Sequence, residues 1–141
     1  MNEIKIFSPA SIANLSCGFD ILGVCLDKIG DEISVRKTSK KGIFINKITG
    51  FEFDIHKGIK PGSGIGSSAA SSAGTVFAIN KLLGEPFSDN QLIYFASKGE
   101  VAASGTLHAD NVSAVLMGGF TFVRSSLNKD FIKLNYPNDL V

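Results

Sequence analysis

The chain is poor in cysteine, in any excess of one charge and in long apolar runs, and each shortage closes off a class of protein. Only two cysteines occur in 141 residues, Cys17 and Cys25. Eight positions apart in apolar surroundings, they match no metal-ligand spacing and are too few for a disulfide framework. Reduced thiols packed in a core are the reading they support. Charge is nearly balanced, with 14 Lys and Arg against 13 Asp and Glu. The basic excess that goes with phosphate-backbone binding is missing, which sets nucleic acid aside as the main partner. No apolar run approaches membrane-spanning length, and the opening MNEIKIF lacks the apolar core of a signal peptide. No membrane partner and a cytoplasmic location are therefore expected. There is no internal repeat, low-complexity tract or linker. With 44% hydrophobic and 19% charged residues, the composition suits one soluble globular domain with a sizeable core.

What the chain does have is glycine in one decisive place. Pro61 to Ser71 read PGSGIGSSAAS, between the alternating run FEFDIHK and a helix pattern rich in small residues. Closely spaced glycines emptying into a Ser-Ser helix start aim several backbone N–H groups at one point. The positive end of the helix dipole lies at that same point, so an anion such as phosphate is favoured. Glycine permits close backbone approach and positive φ. This is not a Walker A loop, which needs Gly-Lys-Ser/Thr at the helix start. Nor is it the dinucleotide fingerprint, because Ser67 stands where the third glycine belongs.

Periodicity gives a mixed α and β chain. Ile4 and Ile6 alternate with Lys5, predicting a first strand that ends near Pro9. Asp31 to Thr38 and Gly42 to Ile48 are further β-like runs, and INKITGFEFDI reads as a hairpin through Thr49-Gly50. Phe51, Phe53 and Ile55 fall on one face of their strand, opposite Glu52, Asp54 and His56. Helices are predicted from Ser67 to Leu83, stopped by Gly84 and Pro86, and from Ser88, where Ser88 and Gln91 have capping-box spacing. A short helix over Asn111 to Met117 runs through Gly118-Gly119 into the strand FTFVR.

Three segments together resemble a family. PGSGIGSSAAS resembles the phosphate-binding motif of the GHMP small-molecule kinases, a group that includes galactokinase, homoserine kinase and mevalonate kinase. SPASIANLSCGFDILG (Ser8 to Gly23) and SGTLHADN (Ser104 to Asn111) resemble the flanking motifs of its homoserine kinase branch. The implied fold is α+β, like the second domain of ribosomal protein S5, with helices covering a mixed sheet. The implied activity is ATP- and Mg²⁺-dependent phosphorylation of the side-chain hydroxyl of L-homoserine, a step in threonine biosynthesis. The family pattern carries a longer insertion near Gly50, including a helix, and continues past YPNDLV into a second domain. Residues 1–141 are thus expected to be the N-terminal ATP-binding domain, without the C-terminal GHMP domain, and a homodimer is a candidate assembly. Another GHMP small-molecule kinase, a non-catalytic nucleotide-binding protein and an RNA-binding S5-like module are the alternatives. The glycine loop and the absent basic stripe speak against the RNA-binding module.

The resemblance also assigns roles. Lys60, Pro61, Gly62, Ser63, Gly64, Ile65, Gly66, Ser67, Ser68, Ala69 and Ala70 would hold the nucleotide phosphates, and Lys57 and Lys60, flanking the loop, are candidate cations to steer phosphate. Ser67 or Ser68 would place a hydroxyl on Mg²⁺ and Glu100 would complete the metal site, since the ion prefers hard oxygen ligands. Asp20 would pair with the substrate ammonium, and Asn14, His108 and Asn111 would bind the acceptor. His108 and Asn111 would share a helical turn if their segment is already helical. Asn111 stands where other branches place a catalytic aspartate, and an amide cannot act as a general base at neutral pH. Positioning and Mg²⁺ electrostatics would then carry catalysis, with Asp110 as a fallback base.

Overall fold

The computed structural model describes residues 1–38, 50–105, 108–126 and 129–136, without the side chains of 103 and 104. The expected strand over 42–48, the hairpin turn at Thr49 and part of the SGTLHADN segment lie outside the described residues. Five strands and three helices follow in the order β1 (Glu3–Leu15), β2 (Gly18–Thr38), β3 (Gly50–His56), α1 (Ser67–Leu82), α2 (Asp89–Ser104), α3 (Asp110–Met117), β4 (Phe120–Ser125) and β5 (Asp130–Leu134). The α+β expectation holds.

Strand β2 organises the sheet. It pairs with β1 along most of its length, with β4 through Leu22 to Val24 and with β3 through Glu32 to Thr38. Strand β5 then extends the sheet beyond β4. All these pairings among the described residues are antiparallel. Strand β1 does not stop at Pro9. It continues to Leu15 through a register shift between Pro9 and Ser11. Among the described residues β1 pairs only with β2, so proline is tolerated there, where a missing N–H falls at an edge and beside an irregularity. The second half of β1, the first half of β2 and all of β5 were not anticipated.

Side-chain parity decides which face is covered. Asp31, Ile33 and Val35 are buried, while Glu32 and Arg36, of the opposite parity, face solvent. Ile33 and Val35 cluster with Ala78 and Leu82 of α1, flanked by Ile4, Ile6, Phe51 and Phe53. Helices α1 and α3 both pack on β1 and β2, and α2 packs against the other two helices. A second cluster joins Ala69, Ala73, Ile93, Ala96, Val112 and Phe131. The expected capping box opens α2, with Gln91 Oε1 accepting the Ser88 N–H at 3.0 Å. Helix α1 ends one residue before the expected boundary, at Leu82, with Gly84 at φ 87°. Cys25 is half-buried, but Cys17 is exposed in the β1–β2 turn, contrary to the core expectation. No described helix is long and apolar enough to cross a membrane.

The small residues of α1 let it lie close on the sheet. A Cβ built on Gly74 would come within 2.5 Å of Ile33 Cδ1 and 2.7 Å of Ser8 Cβ. Helix propensity alone would favour alanine at Gly74 by about 1 kcal/mol. Packing reverses that preference, since overfilling a tight contact costs roughly 1–3 kcal/mol. Gly74→Ala is therefore expected to lower the melting temperature measured by circular dichroism. A melting temperature at or above the parent's would show that α1 does not rest on Ser8 and Ile33 at this spacing.

Candidate functional site

The approach to the glycine loop is fixed by a carboxylate that sequence reading passed over. Asp31 is fully buried on the helix-facing side of β2. It accepts the N–H groups of Gly58 and Ile59 at 3.1 Å each, the Ser71 hydroxyl at 3.1 Å and the Lys57 ammonium. Lys57 also donates to Ser67 O and Ser71 Oγ, both at 2.8 Å. Lys57 is therefore a brace between β2 and the first turn of α1, where the sequence suggested a free cation steering phosphate. The signal was available: Asp31 shares its parity with Ile33 and Val35, and an acid on the inward face needs partners.

Beyond Ile59 the chain makes the turn that the glycines require. Gly62, Gly64 and Gly66 have φ of 77°, 78° and 67°. They serve different ends. A Cβ on Gly62 or Gly64 would meet nothing within 4 Å, whereas one on Gly66 would strike Ser11 Oγ at 2.4 Å. Gly66 is the N-cap of α1, which has no side-chain cap and no acidic residue in its first turn. The positive helix end is left for something other than the protein's own side chains.

A cavity of about 510 Å³ opens over this turn. Its walls include Pro61, Gly62, Gly64, Gly66, Ser67 and Ser68 from the loop, with Lys57, Ser71, Glu100, His108 and Asn111 around them. The Ser68 hydroxyl donates to Glu100 Oε2 at 3.0 Å, so α1 and α2 bring together two of the oxygens expected at a metal. The Ser67 hydroxyl instead donates to Ile59 O at 3.2 Å, which makes Ser68 the better-placed ligand. Burial raises the pKa of Glu100, an effect partly offset by the Ser68 hydrogen bond and the neighbouring His108. No group of three or more His, Cys, Asp or Glu among the described residues could hold a metal alone. Glu100 with the Ser68 hydroxyl nevertheless fits Mg²⁺, which commonly takes one or two carboxylates and completes its shell with phosphates and water.

Other expected residues fall into place unevenly. His108 and Asn111 line the same cavity, but not as neighbours on one helical turn, because α3 begins only at Asp110. Asn14 and Asp20 sit in the β1–β2 hairpin with φ of 59° and 56°, and the Asp20 N–H donates to Asn14 Oδ1 at 2.8 Å. They are not among the cavity-lining residues, and they meet the site through His108, whose Nδ1 lies 3.5 Å from Asp20 Oδ1. Asp110 is almost fully buried, and its Oδ1 accepts the N–H of Asn111 at 2.8 Å. Burial raises its pKa. It does not line the cavity, which removes the geometry a fallback base would need. Ala70 cannot present its N–H to a phosphate, because Gly66 O takes it at 2.9 Å, and its side chain is fully buried. Ala69 is likewise buried, and Ile65 packs beside Ala10, Ile59 and Ala70. Lys60 and Ser63 are exposed, and Lys60 O accepts the Ser63 N–H at 3.2 Å.

Comparison with known proteins identifies the family and the fold. Residues 29–119 match the model of the GHMP kinases N terminal domain. A homoserine kinase of Methanocella arvoryzae is 39% identical over 87% of this chain and 48% of its own length. One from Methanococcus maripaludis is 39% identical over 89% of this chain and 51% of its own length. The crystal structure of homoserine kinase from Cytophaga hutchinsonii superposes with a TM-score of 0.88 at 39% identity, over 97% of this chain and 53% of that one. The Methanococcus jannaschii mevalonate kinase, at 16% identity and a TM-score of 0.69 over 95% of this chain and 56% of that one, shares the fold. The chain spans about half the length of the curated relatives it matches. The matched stretch holds the glycine loop, α1 to α3, β3 and the second half of β2, and by that match the chain belongs to the GHMP kinase family, in that family's N-terminal domain.

Proposed function

We propose that the chain is the N-terminal ATP-binding domain of a homoserine kinase, which transfers the γ-phosphoryl group of ATP to the side-chain hydroxyl of L-homoserine. The observation that carries this reading is the convergence on one cavity of the uncapped α1 terminus, the Ser68–Glu100 pair, His108 and Asn111. The relatives named homoserine kinase support the choice of acceptor.

The chemistry asks for alignment more than for covalent participation. The acceptor oxygen bonds to the γ-phosphorus as the bond to the β–γ bridging oxygen breaks and ADP leaves. The hydroxyl proton passes to a phosphoryl oxygen or to solvent, because Asn111 cannot take it. The N–H groups at the start of α1 would hold phosphate oxygens, and Asn111 would orient the attacking hydroxyl. Ser68 and Glu100 would hold a magnesium ion, whose charge counters that of the phosphoryl oxygens. Asp20, next to His108, remains the group suited to the substrate ammonium. The deciding assay follows ADP release by the complete protein with MgATP and L-homoserine, using galactose and mevalonate as controls. ADP release with a control but not with homoserine would move the acceptor elsewhere in the family. ATP binding without turnover would leave only a nucleotide-binding protein.

Gly64→Val places a branched side chain in the left-handed region and in the open cavity, where nothing of the protein lies within 4 Å of the new Cβ. A conformational cost of about 1–3 kcal/mol corresponds to MgATP binding roughly 5- to 150-fold weaker by calorimetry, with the helices intact. Unchanged affinity would take the loop out of the phosphate site.

Glu100→Gln separates stability from activity. Burial lifts the folded-state pKa of Glu100 above its unfolded value, so the ionised form is disfavoured in the fold. Stability conferred by this residue therefore falls as pH rises from the ordinary glutamate range through the folded pKa, and stays lower above it. Without ligand, Glu100→Gln should melt above the parent at neutral pH, with the gap closing as pH drops into the ordinary carboxylate range. Turnover should fall and respond only in part to added Mg²⁺. Full activity at saturating Mg²⁺ and ATP would end the metal-ligand assignment.

A further inference from the structure

Ser11 is fully buried and belongs to neither the loop nor the metal site, yet it stands where three parts of the site meet. Its N–H donates to Ile65 O at 3.2 Å, tying β1 to the glycine loop. Its hydroxyl donates to Asn111 Oδ1 at 2.9 Å, tying β1 to the first turn of α3. Any side chain on Gly66 would collide with this junction, since its Cβ would fall 2.4 Å from Ser11 Oγ and 3.1 Å from Asn111 Oδ1. One residue thus joins the strand to the loop through its backbone N–H and to Asn111 through its hydroxyl.

We propose that Ser11 is a positioning residue for phosphoryl transfer: its hydroxyl turns Oδ1 of Asn111 inward, so that the Nδ2 donors are what Asn111 offers the cavity. This inference rests on the kinase reading above and deepens it. The terminal torsion of an asparagine is broad and nearly two-fold, so an untethered amide can present either end. The two ends are opposite in chemistry, a carbonyl acceptor and a double donor. An inward Oδ1 leaves Asn111 to donate to a lone pair of the acceptor hydroxyl or to a phosphoryl oxygen. The hydroxyl proton is then directed away from the amide, as transfer without a protein base requires. The two bonds of Ser11 can be separated experimentally, because alanine keeps the N–H that holds Ile65 and loses only the hydroxyl that holds Asn111.

The test uses the complete protein with Ser11→Ala and Ser11→Cys, the latter keeping a weak donor. In Ser11→Ala, kcat should fall by about 10- to 100-fold, the scale of loss for a small misplacement at the reacting centre. The KM values for ATP and homoserine should stay within about two-fold, and Ser11→Cys should lie between variant and parent. The side-chain amide resonances of Asn111, identified by their loss in Asn111→Asp, should shift or broaden in Ser11→Ala. An unchanged kcat in Ser11→Ala would overturn the proposal. So would a loss expressed mainly in the KM for ATP, which would make Ser11 a support of the loop. Should Ser11→Ala fail to fold, Ser11→Cys is judged by the same two readouts. If the parent turns over no acceptor, the kinase reading itself fails. The amide resonances then decide alone, and unmoved signals overturn the role of Ser11.

Discussion

The site depends first on the Asp31 carboxylate. A buried charge is strongly unfavourable unless it is paired and hydrogen-bonded, and this one is saturated by two backbone N–H groups, a hydroxyl and an ammonium. Each donor comes from the segment that leaves β3 or from Ser71, in the second turn of α1. The carboxylate therefore fixes the end of one element and the start of the next, and the glycine loop is the chain strung between them. Gly58 shares in this geometry, because a Cβ there would lie 2.1 Å from Gly30 O. The exit of β3 crosses directly over β2, and that crossing delivers the loop to the edge of the cavity.

Across the cavity the electrostatics run the other way. Glu100 and Asp110 are both buried, and both are pushed toward their neutral forms by desolvation. His108 partly counters this at each of them. Of the two, Glu100 lines the cavity, and a desolvated acid there favours the arrival of a cation. The β1–β2 hairpin adds backbone strain nearby, with Asn14, Ser16 and Asp20 all at positive φ. Residues held in that region tend to mark binding sites, and two of these three are the ones that resemble acceptor ligands.

Local features of the fold could be read directly. The glycine loop with its Ser-Ser helix start, the capping box at Ser88 and the alternation in β2 and β3 depend only on near neighbours in the chain. The length of β1 was hidden, because Pro9 looks like a terminator until the strand is known to be an edge. Strand β5 was hidden because five residues give too short an alternation without β4 beside them. Of the residues that line the cavity, those of the loop, Glu100, His108 and Asn111 were singled out beforehand by the motifs they resemble. The true functions of Lys57 and Asp31 were not, since each takes its meaning from a partner on another strand or helix.

The sequence by itself determined which local chemistry is present: where the backbone can adopt positive φ, where a helix begins, and which side chains can bind oxygen or cations. These follow from residue type and from periods of two or 3.6, which need no knowledge of the rest of the chain. Only the tertiary structure decided which of those groups face one another. Ser11 meets Asn111 across 100 positions, and Ser68 meets Glu100 across 32. Such pairings are set by the register of β1 on β2 and by the close seat of α3 on Gly23, where a Cβ would lie 2.2 Å from Asp110 O. Register and seating are properties of the packed core as a whole, so no window of sequence contains them.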